Sequence, residues 1–243
     1  MPINEILFLT AVHGDEKLGY NILKKLEKEE PRKFNWLIAN EKALKRGVRF
    51  IDIDLNRAAP GRKNAKEYEL RRAYEIIKIA KKYRYVIDLH DTLAKTGIFI
   101  IVTNPKLVNL FLAATLPIKN VVIWAANSSK KFGPITQFVK CGVEIECGPR
   151  NSKTIKGQLY KIIKSIVKDG IVFKIDSIKS KNWFQVYGKL TKNEIAPTQL
   201  KNLKDFKKTN VNKETFYPLL VGQYKDIICY KMKKINFWDK FSY

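Results

Sequence analysis

Cysteine and histidine are scarce in this chain, with three of the first and two of the second among 243 residues. An odd set of cysteines, Cys141, Cys147 and Cys229, without framework spacing argues against a disulfide scaffold. Cys141 and Cys147 lie on or beside one apolar segment and read as small core residues. No apolar run reaches the roughly 18–20 residues that a membrane-spanning helix needs, so no membrane partner is expected. The start, Met1-Pro2-Ile3-Asn4-Glu5, lacks the basic flank and cleavage-like site of a secretory signal, and a cytoplasmic location is the expectation. Internal repeats and low-complexity segments are missing. Acidic side chains are in the minority: 23 Asp and Glu stand against 47 Lys and Arg, a formal net charge of +24. Such a surface attracts anions, nucleic-acid phosphates included, without sequence preference. The lysines are spread along the whole chain, so a general composition bias is the plainer account, and nucleic acid is not expected as the main partner.

What remains is a chain with enough apolar residues, 45%, to bury a real core. Residues 5–12 are nearly continuously apolar, which suits a strand buried on both faces of a parallel sheet. His13-Gly14-Asp15-Glu16 ends that run, and Leu18, Ile22, Leu23 and Leu26 then recur at helical spacing. Further strands are predicted at 34–39, 85–89, 98–102, 121–124 and 143–145, with helices over 65–83, 107–116 and 155–167. Residues 50–55 also read as strand-like. Alternating strands and helices imply an α/β fold with a largely parallel sheet flanked by helices. Beyond about residue 170 the texture changes to short β-like runs at 171–175, 183–190, 217–221 and 227–232. The expected organisation is therefore a catalytic domain over 1–169 and a small C-terminal β domain over 170–243.

Both histidines fall directly after or at the end of a predicted strand, where ligands bind in open α/β sheets. Glu16 follows His13 by three residues, a spacing that brings both side chains to one side of a turn. Two imidazoles and a carboxylate, His13, Glu16 and His90, make the ligand set of a catalytic zinc site with a position open for water. Asp88 and Asp91 flank His90, and either is placed to accept its other ring N–H. Glu144 and Glu146 end an apolar strand and share one face of it, so position alone does not separate them. A carboxylate there is costly to bury without a role or a partner. Arg49, Asn56 and Arg57 offer planar donors for a carboxylate, and an arginine beside zinc can polarise a carbonyl. Each group has a plainer alternative: surface histidines, a salt-bridged strand end, two arginines in a basic chain.

In order, His13-Gly14-Asp15-Glu16, Asp54-Leu55-Asn56-Arg57, Asp88-Leu89-His90 and Ile145-Glu146-Cys147-Gly148-Pro149 resemble the succinylglutamate desuccinylase/aspartoacylase family, related to the zinc carboxypeptidases. Weaker similarity continues to residues 216–221, where that family has its C-terminal β domain. The resemblance implies a zinc-carboxypeptidase-like mixed, largely parallel sheet. It implies one Zn2+ per chain on His13, Glu16 and His90, and Glu146, not Glu144, as general acid/base. Arg49 would stabilise the carbonyl oxygen, and Asn56 and Arg57 would grip a substrate carboxylate. The implied reaction is hydrolysis of the amide bond of a small anionic N-acyl amino acid. A departure is visible: aspartoacylases carry a further substrate-binding arginine shortly before the catalytic glutamate, and here that neighbourhood reads Gly133-Pro134-Ile135-Thr136-Gln137. Lys130 or Lys131 is the candidate replacement, and Tyr224 or Tyr230 the candidate substrate tyrosine. Two competing readings stand beside the deacylase. One is a metallocarboxypeptidase acting on peptides, and the other a non-catalytic basic nucleic-acid-binding protein on the same scaffold. Oligomeric state is open, a homodimer being one option.

Overall fold

The computed structural model describes residues 1–126, 131–172, 176–195 and 200–237. Ten strands form one sheet. In chain order they are β1 Ile6–Thr10, β2 Asn35–Ile38, β3 Tyr85–Asp91, β4 Gly97–Val102, β5 Asn120–Ile123, β6 Gly142–Gly148, β7 Asn182–Thr191, β8 Thr209–Val211, β9 Glu214–Leu219 and β10 Ile227–Ile235. The order across the sheet is β2-β1-β3-β6-β4-β5-β7-β10-β9-β8. β1 pairs in parallel with β2 and β3, and β3 in parallel with β6. β4 runs antiparallel to β6 but parallel to β5, which is parallel to β7. The last three strands continue antiparallel. The sheet is thus mixed and largely parallel through its central part, as expected.

The helices are α1 Leu18–Glu29, α2 Glu41–Arg46, α3 Tyr68–Ala80, α4 Leu107–Thr115, α5 Lys153–Asp169 and the short α6 Asp176–Lys179. Strand alternation sorts the core. Ile6 and Phe8 of β1 pack with Leu18, Ile22, Leu23 and Leu26 of α1 and with the buried faces of α4 and α5. Leu7 and Leu9 point the other way, onto Leu70, Ala73, Ile76 and Ile77 of α3. Helices on both faces explain why β1 and β3 are buried along their whole length and read as continuous apolar runs.

One expectation changes. Residues 50–55 form no strand. The backbone N–H groups of Ile51, Asp52 and Ile53 donate to the buried carboxylate of Glu69 at 2.7, 3.0 and 3.2 Å, and so to no neighbouring strand. The run at 171–175 falls largely outside the described residues. α2 and β8, both short, were not expected. No helix among the described residues is long and apolar enough to cross a membrane.

Candidate metal centre and pocket

β1 lies between β2 and β3, so the chain leaves β1 to one side and returns on the other. A crevice opens at the carboxyl ends of strands at such a switch. His13 stands in the turn after β1. That turn closes tightly on α2: a Cβ added at Gly14 would lie 2.1 Å from the carbonyl carbon of Ala43. Only glycine permits this approach. β3 delivers His90 in register with Glu146 of β6, and Asp88 in register with Glu144.

Glu16 sits between the two imidazoles. Its Oε1 is 2.7 Å from His13 Nδ1 and its Oε2 is 3.0 Å from His90 Nδ1. The far ring nitrogens face aspartates: His13 Nε2 is 3.0 Å from Asp54 Oδ1, and His90 Nε2 is 3.1 Å from Asp88 Oδ2. All three residues are buried. Burial works against charge on His13, but hydrogen bonds to Asp54 and Glu16 outweigh it and raise its pKa. For His90 burial is likewise outweighed, by Asp88 and then Glu16, and its pKa is raised well above the usual value. Burial also opposes charge on Glu16, yet the two imidazoles hold it well below the usual carboxylate range. Donor atoms of His13, Glu16 and His90 all lie within 4.8 Å of one another. Two imidazoles and one carboxylate, converging and buried, fit a divalent metal with an open position, and aspartates on the outer nitrogens would fix the rings. Asp88, His90 and Glu144 form a second group within the same limit.

Of the two flanking aspartates, Asp88 takes the partner position on His90. Asp91 does other work. Its Oδ2 accepts from the N–H of Leu18, at the start of α1, at 2.9 Å. Its Oδ1 lies 2.6 Å from Arg150 Nε. Arg150 Nη1 also reaches the carbonyl and carboxylate of Asp15, at 3.2 and 3.3 Å. Arg150 therefore ties together the ends of β3 and β6 and the loop that carries His13 and Glu16.

A pocket of about 370 Å³ opens on this cluster. The residues to which the resemblance gives the metal, the proton transfer, the carbonyl oxygen and the substrate carboxylate all line it: His13, Glu16, Arg49, Asn56, Arg57, His90 and Glu146. Arg49 Nη1 is 3.5 Å from Glu16 Oε1, and its Nη2 is 3.5 Å from Asp54 Oδ2. Asp54 also accepts from the N–H of Asn56 at 2.8 Å, starting a helical turn over Leu55–Arg57 that presents Asn56 and Arg57. Glu144 is buried and accepts from Thr136 Oγ1 at 3.0 Å. Glu146, two residues on, is half-buried at the pocket. Burial and the neighbouring Glu16 push its pKa up to about 8, with His90 pulling the other way.

Lys130 lies outside the described residues. Lys131 is exposed and is not part of the pocket lining; Gln137 is. Tyr224 lines the pocket, while Tyr230 stands behind, its ring 4.3 Å from that of Trp124. Gln223 beside it latches the rim: its Oε1 accepts from Thr92 Oγ1 at 2.6 Å and Leu93 N at 3.1 Å. Sequence reasoning missed Glu69, Arg150 and Gln223. Asp54 stood inside a quoted motif, but no spacing tied it to His13.

The sheet, its flanking helices and the strand-end pocket define the zinc-carboxypeptidase-like class of α/β proteins. Murine aminoacylase 3 superposes on 97% of this chain and 96% of its own, with a TM-score of 0.75 and 18% identity. The succinylglutamate desuccinylase from Chromobacterium violaceum covers 96% and 85%, with a TM-score of 0.68 and 14% identity. In sequence, residues 2–168 match the family model of the succinylglutamate desuccinylase/aspartoacylase catalytic domain. A probable aspartoacylase of Acaryochloris marina is 26% identical over 185 residues, 68% of this chain and 62% of that one. Rat aspartoacylase is 26% identical over 199 residues, 71% and 63%. The matches thus span less than two thirds of those relatives. The chain belongs to the succinylglutamate desuccinylase/aspartoacylase family.

Proposed function

We propose that this protein is a zinc-dependent deacylase that hydrolyses the amide bond of an N-acyl amino acid. The observation that carries the reading is the convergence of His13, Glu16 and His90 within 4.8 Å at a pocket that Glu146 also lines. His13 and His90 would hold the metal through Nδ1, with Asp54 and Asp88 holding the rings and Glu16 supplying the carboxylate. Zinc bound there would acidify a water and polarise the scissile carbonyl. Glu146 takes a proton from the attacking water and passes it to the leaving nitrogen as the carbon–nitrogen bond breaks. Glu144, already bonded to Thr136, is the less available carboxylate. Arg49 steadies the developing negative charge on the carbonyl oxygen. Asn56 and Arg57, side by side at the mouth, take the substrate carboxylate. Residues 1–169 carry the metal and catalytic groups, and residues 170–243 contribute the rim through Leu220, Gln223 and Tyr224.

The test is metal content of the purified protein beside a His90→Ala variant, with both assayed for amine release from N-acyl amino acids and for trimming of short peptides. One zinc per chain and deacylation, both lost in the variant, is the expected result. A wild type that cannot be loaded with zinc refutes the proposal. Peptide trimming without deacylation turns it toward the carboxypeptidase reading.

A further inference from the structure

Strand pairing sets one row of side chains across the sheet beside the metal cluster: Leu37, Leu9, Asp88, Glu144, Ile101 and Val122. Two acidic residues thus stand side by side in an otherwise apolar row, Asp88 at 0% exposure and Glu144 at 4%. Like charges directly opposite on adjacent strands repel, and burial raises the cost. Their neighbours in the row carry no charge to offset it.

The two carboxyl groups are supported unequally. Thr136 has one hydroxyl proton and donates it to Glu144 Oε1 at 3.0 Å. Thr103 Oγ1, 2.8 Å from Thr136 Oγ1, is therefore the donor in that pair. Donors run from Thr103 through Thr136 to Glu144. Asp88 has no such support. Its Oδ2 lies 3.1 Å from His90 Nε2 but out of line for a hydrogen bond, and among the described residues neither of its oxygens has a hydrogen-bond partner. Acceptor and donor atoms of Asp88, His90 and Glu144 nevertheless lie within 4.8 Å of one another. A proton on Glu144 removes one of the two like charges and gives Asp88 a donor. Oε1 is engaged by Thr136, so Oε2 is the oxygen left to carry it.

We propose that Glu144 is a positioning residue: as a neutral acid it donates a hydrogen bond to Asp88, and so fixes the aspartate that orients His90 for the metal. Asp88 in turn accepts from His90 Nε2–H, which leaves the Nδ1 lone pair for the metal. The line of bonds runs from Thr103, at the end of β4, to the imidazole ring. Proton transfer stays with Glu146. The inference rests on the reading of His90 as a zinc ligand.

The experiment compares zinc affinity, by competition with a chelator, in wild type, Glu144→Gln and Glu144→Met. Glutamine keeps both bonds, since its oxygen accepts from Thr136 and its NH2 donates to Asp88. Methionine has a similar reach and no donor. Glu144→Gln is expected to bind zinc as tightly as wild type, and Glu144→Met about tenfold more weakly. Adding Glu144→Met to Asp88→Ala is expected to weaken binding no further, because Glu144 acts through Asp88. Wild-type affinity in Glu144→Met overturns the inference. Strict additivity with Asp88→Ala overturns it as well. So does a Glu144→Gln protein as impaired as Glu144→Met, since Glu144 would then be supplying charge. Should Glu144→Met not fold, Thr136→Val takes its place: it removes the donor that holds Glu144, and unchanged zinc affinity overturns the line of bonds. Amine release from N-acyl amino acids is measured alongside. A wild type that binds zinc without turnover sinks the deacylase reading alone, and the affinities still decide the inference. One that cannot be loaded with zinc overturns both.

Discussion

Replacing Glu69 by glutamine exchanges one carboxylate oxygen for an amide nitrogen at almost no change in volume. Glu69 is fully buried, and its two oxygens accept four hydrogen bonds. Oε1 takes Asn40 Nδ2 and the N–H of Ile51; Oε2 takes the N–H groups of Asp52 and Ile53. Glutamine has a single acceptor oxygen, so whichever way its amide turns, an NH2 group faces two donors. Each buried donor left without a partner costs about 1–3 kcal/mol, and some relaxation of the loop toward water sets the expected loss at about 2–4 kcal/mol. Denaturant unfolding of metal-stripped wild type and variant measures it, since bound metal would otherwise mask part of the difference. Function should change selectively. Glu69 touches none of His13, Glu16 and His90, so zinc stoichiometry stays as in the wild type. The loop it organises carries Arg49, Asn56 and Arg57, so KM for an N-acyl amino acid should rise. A variant within about 0.5 kcal/mol of the wild type, the range of an ordinary surface change, and with unaltered KM would refute the reasoning.

Arg150→Met strands the buried carboxylate of Asp91 and frees the loop of His13 and Glu16. With Arg150 itself partly exposed, a loss of about 2–3 kcal/mol in unfolding free energy is expected, and zinc affinity falls by about tenfold or more. An Arg150→Met/Asp91→Asn double variant should lose less than the two single variants added together; strict additivity would show that the pair does not act as a unit. Asp205 gives a pH signature away from the pocket. Burial pushes its pKa up to about 6 from 3.8, although it accepts from Val221 N at 3.0 Å. The folded state therefore retains a proton that the unfolded state has released, so this group's stabilisation is complete below pH 3.8 and is lost as pH rises to about 6. Asp205→Asn should be more stable than wild type at pH 8 and lose that advantage at pH 4; thermal melts at the two pH values that shift in parallel would contradict it.

Much of the site could be read along the chain because its chemistry is concentrated in short motifs. His13 and Glu16 share a turn, and His90 ends a strand whose apolar run announces it. The period of two along β6 correctly put Glu144 and Glu146 on one face, and for that same reason could not tell them apart. Thr136, brought in from a separate turn, bonds one of them, Glu144, while both line the pocket. Residues 50–55 looked like a strand because their apolar and acidic residues alternate. Their N–H groups are instead gathered by a glutamate on α3, a partner 16 to 18 residues away that no local pattern reveals.

By itself the sequence determined the α/β alternation, the amphipathic faces of α1, α3 and α5, and the placing of both histidines at the ends of strands. Periodicity and residue chemistry are properties of neighbouring positions, and they survive without a fold. Tertiary structure alone decided what each of those groups faces. Register between β3 and β6 set His90 beside Glu146 and Asp88 beside Glu144. The return of the chain to the far side of β1 opened the pocket. Pairing of β7 with β5 carried the strands after residue 170 into the same sheet. Asp54, Arg150 and Gln223 acquired their partners across 41, 59 and 131 residues of chain, separations at which only the packed core determines who meets whom.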